Sequence, residues 1–198
     1  MRRVTPLLLR RLIVLLIGFG FSAEAQTPGL ALRLTMARRA FKMSEHITAR
    51  IMIENAGVAY VVLHPHLLFD IPCPSMGPFP VINLEVRDSS GRVVAFQHRL
   101  TNDGERVVTP QPASFLIMAP GFFYGANIDL SAGQFGWRAP HPGKYTLRLS
   151  LCTSARSWLL RRLSDRQVNK GEVQFDLERV AEGQIASETA TVLVSADE

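Results

Sequence analysis

His64 and His66 flank Pro65, with Cys73 and Met76 close behind and His98 further along. Imidazole, thiolate and thioether are the ligands that copper and zinc sites use. On a strand, residues two apart point to one face. His64 and His66 would then chelate together, with His98 as a further ligand. The plainer reading makes both ordinary loop residues beside a strand end, since Pro65 disturbs a regular strand. No Cys-x-His-x-Met run supports a blue-copper site, because neither His nor Met follows Cys152.

Other chemistries find less. The chain has no Gly-x-Ser-x-Gly elbow, no His-Glu-x-x-His and no phosphate-cradling glycine loop, so no enzyme activity and no cofactor is expected. Thr101-Asn102-Asp103-Gly104-Glu105 groups too few oxygen ligands for calcium. The two cysteines, Cys73 and Cys152, could bond in an oxidising compartment. A bridge closing so long a loop would contribute about 3–5 kcal/mol on the chain-entropy view. The alternative is two separate buried thiols.

Two segments stand apart by composition. His64 to Pro80 carries five prolines among Leu67, Leu68, Phe69, Ile71 and Phe79. It reads as a crossover plugging one end of the core, or as a stiff apolar recognition loop whose prolines lower the entropy lost on binding. Arg156-Ser157-Trp158-Leu159-Leu160-Arg161-Arg162-Leu163, with Arg166 and Lys170 beyond, is basic and helix-prone. It reads as a capping helix with a solvated face, or as a contact for an acidic partner or anionic lipid.

These segments need a frame, and the frame is β. Apolar residues alternate with polar ones in Leu30–Met36, Ile47–Ile53, Ile82–Val86 and Tyr145–Leu151. Ala190, Val192 and Val194 alternate near the end, and Val173, Phe175 and Leu177 suggest another strand. Val58–Leu63 is an apolar run suited to burial on both faces. Val93–Gln97 should return as a hairpin after the Asp88–Gly91 turn, and Ser114–Met118 and Phe122–Leu130 add two more strands. Phe122-Phe123-Tyr124 and Phe135-Gly136-Trp137 read as core and corner residues. One helix is expected, over Ser157–Asn169. About nine short strands with turns between them argue for a sandwich or barrel.

Several ordered pieces resemble the immunoglobulin-like modules of exported bacterial proteins. Ser44-Glu45-His46-Ile47 through Ile53-Glu54-Asn55 resembles their early strand, and Leu84 through Gly91 their Leu-x-Val-x-Asp-x-x-Gly hairpin. Ala119-Pro120-Gly121, Ile128-Asp129-Leu130 and Pro142-Gly143-Lys144-Tyr145 resemble the approach to their penultimate strands. Gly183–Ser187 with Thr191–Val194 resembles their close. The likeness implies a structural corner at Gly143 and Tyr145, with the tyrosine hydroxyl bonded back to the backbone. Leu147 stands where antibody domains place a Cys. The resemblance implies an all-β, immunoglobulin-like antiparallel β-sandwich of about 7–9 strands, with a short helical insertion near 157–169. It implies extracytoplasmic placement and no particular activity.

The first residues agree with export. Arg2, Arg3, Arg10 and Arg11 precede an apolar run from Leu12 to Phe21, then Ser22-Ala23-Glu24-Ala25. That is the three-part pattern of a signal peptide, with cleavage expected after Ala25. Taking residues 1–25 from 198 leaves 173, a single domain over 26–198, and the net charge falls from +5 to about +2. Nucleic acid is therefore not an expected partner, and membrane contact is expected only through the signal peptide or weakly through the basic segment. The expected role is a non-enzymatic binding or structural module of the cell envelope, periplasmic or secreted. It would contact a protein partner through residues 64–80 and 154–170, with Phe69, Trp158, Arg161 and Arg162 at the surface. Two alternatives stand beside it: a periplasmic copper or zinc protein, and an accessory or inhibitor domain for an exported hydrolase.

Overall fold

Period-2 alternation sets the architecture. The computed structural model describes residues 29–69, 79–94, 111–132 and 135–197. They are mostly β. Six strands come first: β1 (Leu30–Met36), β2 (Ala40–Lys42), β3 (Thr48–Asn55), β4 (Val61–Leu63), β5 (Leu68–Phe69) and β6 (Val81–Arg87). β7 (Leu116–Met118), β8 (Phe123–Asp129) and β9 (Gly143–Ser154) follow. The chain then forms α1 (Ala155–Ser164), β10 (Glu182–Ala186) and β11 (Ala190–Ser195).

One sheet has the order β1-β3-β8. The second runs β2-β11-β9-β6-β5, with β10 also on β9, and curls into a half-barrel. β4 and β7 form a separate ribbon. The pairing is not purely antiparallel as expected, since β2 with β11 and β5 with β6 run parallel. The first strand changes sheets at Ala37–Arg39, which lets β2 lie beside the last strand. β10 and β11 share one edge of β9. Ala186 pairs with Ser150 and Ala190 with Leu147, so residues 187–189 oppose only 148 and 149. This one-residue bulge is held by Ser187, whose hydroxyl accepts from the Leu149 N–H at 2.9 Å.

The main core lies where alternation aims the apolar side chains. Leu32, Ala49, Ile51 and Ile53 of the first sheet join Ile82, Leu84, Val86, Tyr145, Leu147, Leu149, Val192 and Val194 of the second. Burying each large aliphatic side chain contributes about 1.5–3 kcal/mol against the entropy of ordering it. Trp137 is fully buried beside Tyr145, ring centroids 5.7 Å apart. The Tyr145 hydroxyl donates to the His141 carbonyl at 2.6 Å, the backward bond expected at this corner. Burial pushes the Tyr145 phenol pKa up.

Several elements depart from expectation. Only residues 61–63 of the Val58–Leu63 run form a strand, and Val58 is fully exposed. Val173–Leu177 is not a strand; short 3-10 turns occupy Lys170–Glu172 and Leu177–Arg179. Phe175 and Leu177 bury themselves on a second apolar cluster, and the Tyr60 hydroxyl accepts from the Asp176 N–H. Phe122 and Phe123 are exposed, not core, while Tyr124 turns inward and donates to the Pro65 carbonyl at 2.6 Å. Successive residues of a strand alternate faces, so on β8 Phe123 points outward where Tyr124 points inward. Val93 bridges Arg87 after the expected turn, and residues 95–97 lie outside the described residues.

Candidate functional site

A second, smaller core sits at one end of the frame. β4 is buried on both faces: Val61 and Leu63 enter the main core, while Val62 enters the second with Phe115, Ala155, Leu159 and Val180. Tyr60, Trp158, Phe175 and Leu177 pack around it. Its purpose in the fold is to seat α1, which continues from β9 without a linker.

The helix start is stabilised from a distance. Ser154 makes no side-chain cap. Glu182, paired in register with Ser154, accepts from the Arg156 N–H at 3.0 Å, the Ser157 N–H at 3.3 Å and the Ser157 hydroxyl at 2.7 Å. A carboxylate there satisfies free N–H groups and complements the helix dipole. The helix stops at Ser164, not Asn169. Arg166 takes a left-handed φ of 55°, and the Gln167 N–H turns back to the Arg162 carbonyl. The reason lies in Val168, which is buried. Nine residues past Leu159, it would point about 180° away on a continuing helix, so the chain reverses to bury it.

The outer side of α1 is basic. Arg161 is exposed and has no ion pair among the described residues. Arg162 is half-buried, its guanidinium 5.1 Å from the Trp158 ring centroid and bonded to the Gln167 side-chain oxygen. Arg156 is neutralised by Glu178 at 2.7 Å. Trp158, Arg161, Arg162, Asp165 and Gln167 line an open groove of about 280 Å³. Among the described residues, no helix is long and apolar enough to cross a membrane.

Of the other expected site residues, His64 and His66 lie side by side, both edge-on to the Phe79 ring. His64 is buried, with its ring edge-to-face against Phe79 at 4.7 Å and Phe115 at 5.2 Å. Its Nδ1 accepts from the His66 N–H at 3.1 Å. Desolvation, aided by the nearby His66 charge, lowers its pKa to about 4. His66 is exposed, and residues 64–66 form no strand, so the two imidazoles do not share a strand face as expected. His98, Cys73 and Met76 lie outside the described residues. Among the described residues, no cluster of three or more His, Cys, Asp or Glu is arranged to hold a metal ion. Cys152 is disulfide-bonded and buried beside Val81, its partner across the ladder. Phe69 is half-buried and packs on Phe135 at 5.3 Å, so it belongs to the main core's edge and not to an open surface.

The structure thus joins two expected regions through one residue. Phe115 touches His64 on one side and packs with the α1 core on the other. Sequence reading missed Glu182, Asp165 and Gln167, because ladder register and the helix reversal bring them here. It also missed His46, whose Nδ1 lies 2.5 Å from Asp129. The neighbouring Ser131 hydroxyl accepts from the Ile47 N–H at 2.7 Å, which ties two loops together. Compared with known proteins, the chain matches no protein-family model and no curated protein.

Proposed function

We propose that this chain is an exported, non-enzymatic immunoglobulin-like module of the cell envelope that binds a protein partner through the α1 end. The observation that carries the reading is the Trp158–Arg161–Arg162 surface, mounted on its own apolar core outside the β-frame. The immunoglobulin-like label is supported by strand neighbours. β9 lies between β6 and β11, as the penultimate strand of such sandwiches lies between the third and last. β1-β3-β8 has the order of their other sheet, and the Tyr145 corner bond agrees.

A photo-crosslinking residue placed at exposed Ser164, on the last turn of α1 beside Arg161, in living cells tests the proposal, with exposed Leu193 on β11 as the control position. The expected result is one discrete adduct at 164 and none at 193. No adduct at 164, or the same adducts at both positions, would overturn it.

A further inference from the structure

We infer that the groove beside the last turn of α1 takes a carboxylate side chain from an acidic segment of the partner. The inference rests on the reading of α1 as a protein-binding surface and names the chemistry of that contact. Arg162 is held between two partners, its guanidinium over the Trp158 ring and bonded to the Gln167 side-chain oxygen. Arg161 is exposed and has no ion pair among the described residues. Two guanidinium groups at one groove offer the forked donors that match a carboxylate, and prior fixing of one reduces the entropy lost on binding.

Three observations narrow the ligand. Asp165 lines the same groove and offsets one positive charge, which favours a single carboxylate over a doubly charged phosphate. The site is concave, about 280 Å³, a size for a projecting side chain or two. A bilayer presents a plane, and binding to it needs a broad apolar helix face. On α1 that face is turned into the second core, and Leu160 is the one large apolar side chain left strongly exposed.

Tryptophan fluorescence of the full chain after export reads the site directly. Trp137 is fully buried, so iodide quenching reports on Trp158. The probes are a Gly-Glu-Glu-Gly-Glu-Gly peptide, its Gln counterpart, and mixed phosphatidylglycerol–phosphatidylcholine vesicles. The Glu peptide should protect Trp158 saturably, with affinity falling as salt rises, and the Gln peptide should not. Arg161→Ala should weaken binding about tenfold, the worth of one charge-assisted hydrogen bond, and Arg161→Glu should abolish it. Arg39→Ala, an exposed arginine elsewhere, should change nothing. Equal protection by both peptides, protection by neither, or protection by vesicles alone would overturn the inference. If the crosslink at 164 persists while the Glu peptide is silent, only the carboxylate assignment fails. If the crosslink is absent too, the binding role fails with it.

Discussion

Asn55 joins three segments through one amide. Fully buried, it donates to the Ala59 and Met118 carbonyls at 2.8 Å each and accepts from the Gly57 N–H at 3.0 Å. Asn55→Ala would strand these groups, at least one of them deep in the protein, and should cost about 3 kcal/mol. A fall in the urea midpoint with unchanged slope would bear this out. His64 makes the fold acid-sensitive. Its folded pKa of about 4 lies below its unfolded value of 6.5, so the unfolded chain takes up the proton first. The stabilisation is complete above pH 6.5 and is lost as pH falls toward 4, by about 3 kcal/mol in all. Asp88 is held at about 2 chiefly by its hydrogen bond from Ser90, so its contribution fades only below that window. His64→Phe should flatten stability between pH 6.5 and 4, measured by urea unfolding at several pH values. An unchanged slope would show that His64 is not the group responsible. Neither role was legible in the sequence: Asn55 read as the close of an early strand, and His64 as half of a chelating pair. Both assignments depend on neighbours more than 50 positions away, Met118 and Phe115.

At the scale of elements, α1 ends against its own preference. Arg166 holds a left-handed backbone that costs a side-chain-bearing residue about 1–2 kcal/mol and that glycine adopts freely. Arg166→Gly should therefore raise stability by about 0.5–1 kcal/mol after the extra freedom of the unfolded chain is counted. A melting point a few degrees higher is the expected reading; a lower one would mean that Arg166 contributes through its side chain. The long strands were legible because alternation over seven or eight residues leaves one assignment: β1 was read to the residue and β3 to within two. β2 and β5, of three and two residues, hold too little alternation to see. Val173, Phe175 and Leu177 alternate correctly yet form no ladder: Phe175 packs on Phe115 and Leu177 on the second core instead. Hydrophobic spacing says which residues want burial, not which neighbour supplies it. The basic Trp158 segment was visible from composition, but its groove was not, because Asp165 and Gln167 reach it only through the reversal at Arg166.

For the whole molecule, export and oxidation can be read in one spectrum. Cys152 is disulfide-bonded, and Cys73 is the chain's other cysteine. The mature protein is expected to begin at Gln26, with a mass lower than the sequence by the two thiol hydrogens of a Cys73–Cys152 bridge. Intact-mass measurement before and after reduction checks both; a chain that keeps residues 1–25 would argue against cleavage there.

The sheet change in the first strand has a consequence for loading. β2 runs parallel to β11, with Ala40, Phe41 and Lys42 opposite Leu193, Val194 and Ser195. The clasp extends through the Met43 N–H to the Ser195 carbonyl, and through the Ser44 N–H and hydroxyl to Asp197. A pull that separates the two ends of the domain drags these parallel strands past one another, so their hydrogen bonds must yield together and not peel one at a time. Forced unfolding follows the height of that single barrier, not the equilibrium stability. A domain stretched between its two ends would hold its shape through this short seam until the seam shears, with the α1 surface still intact.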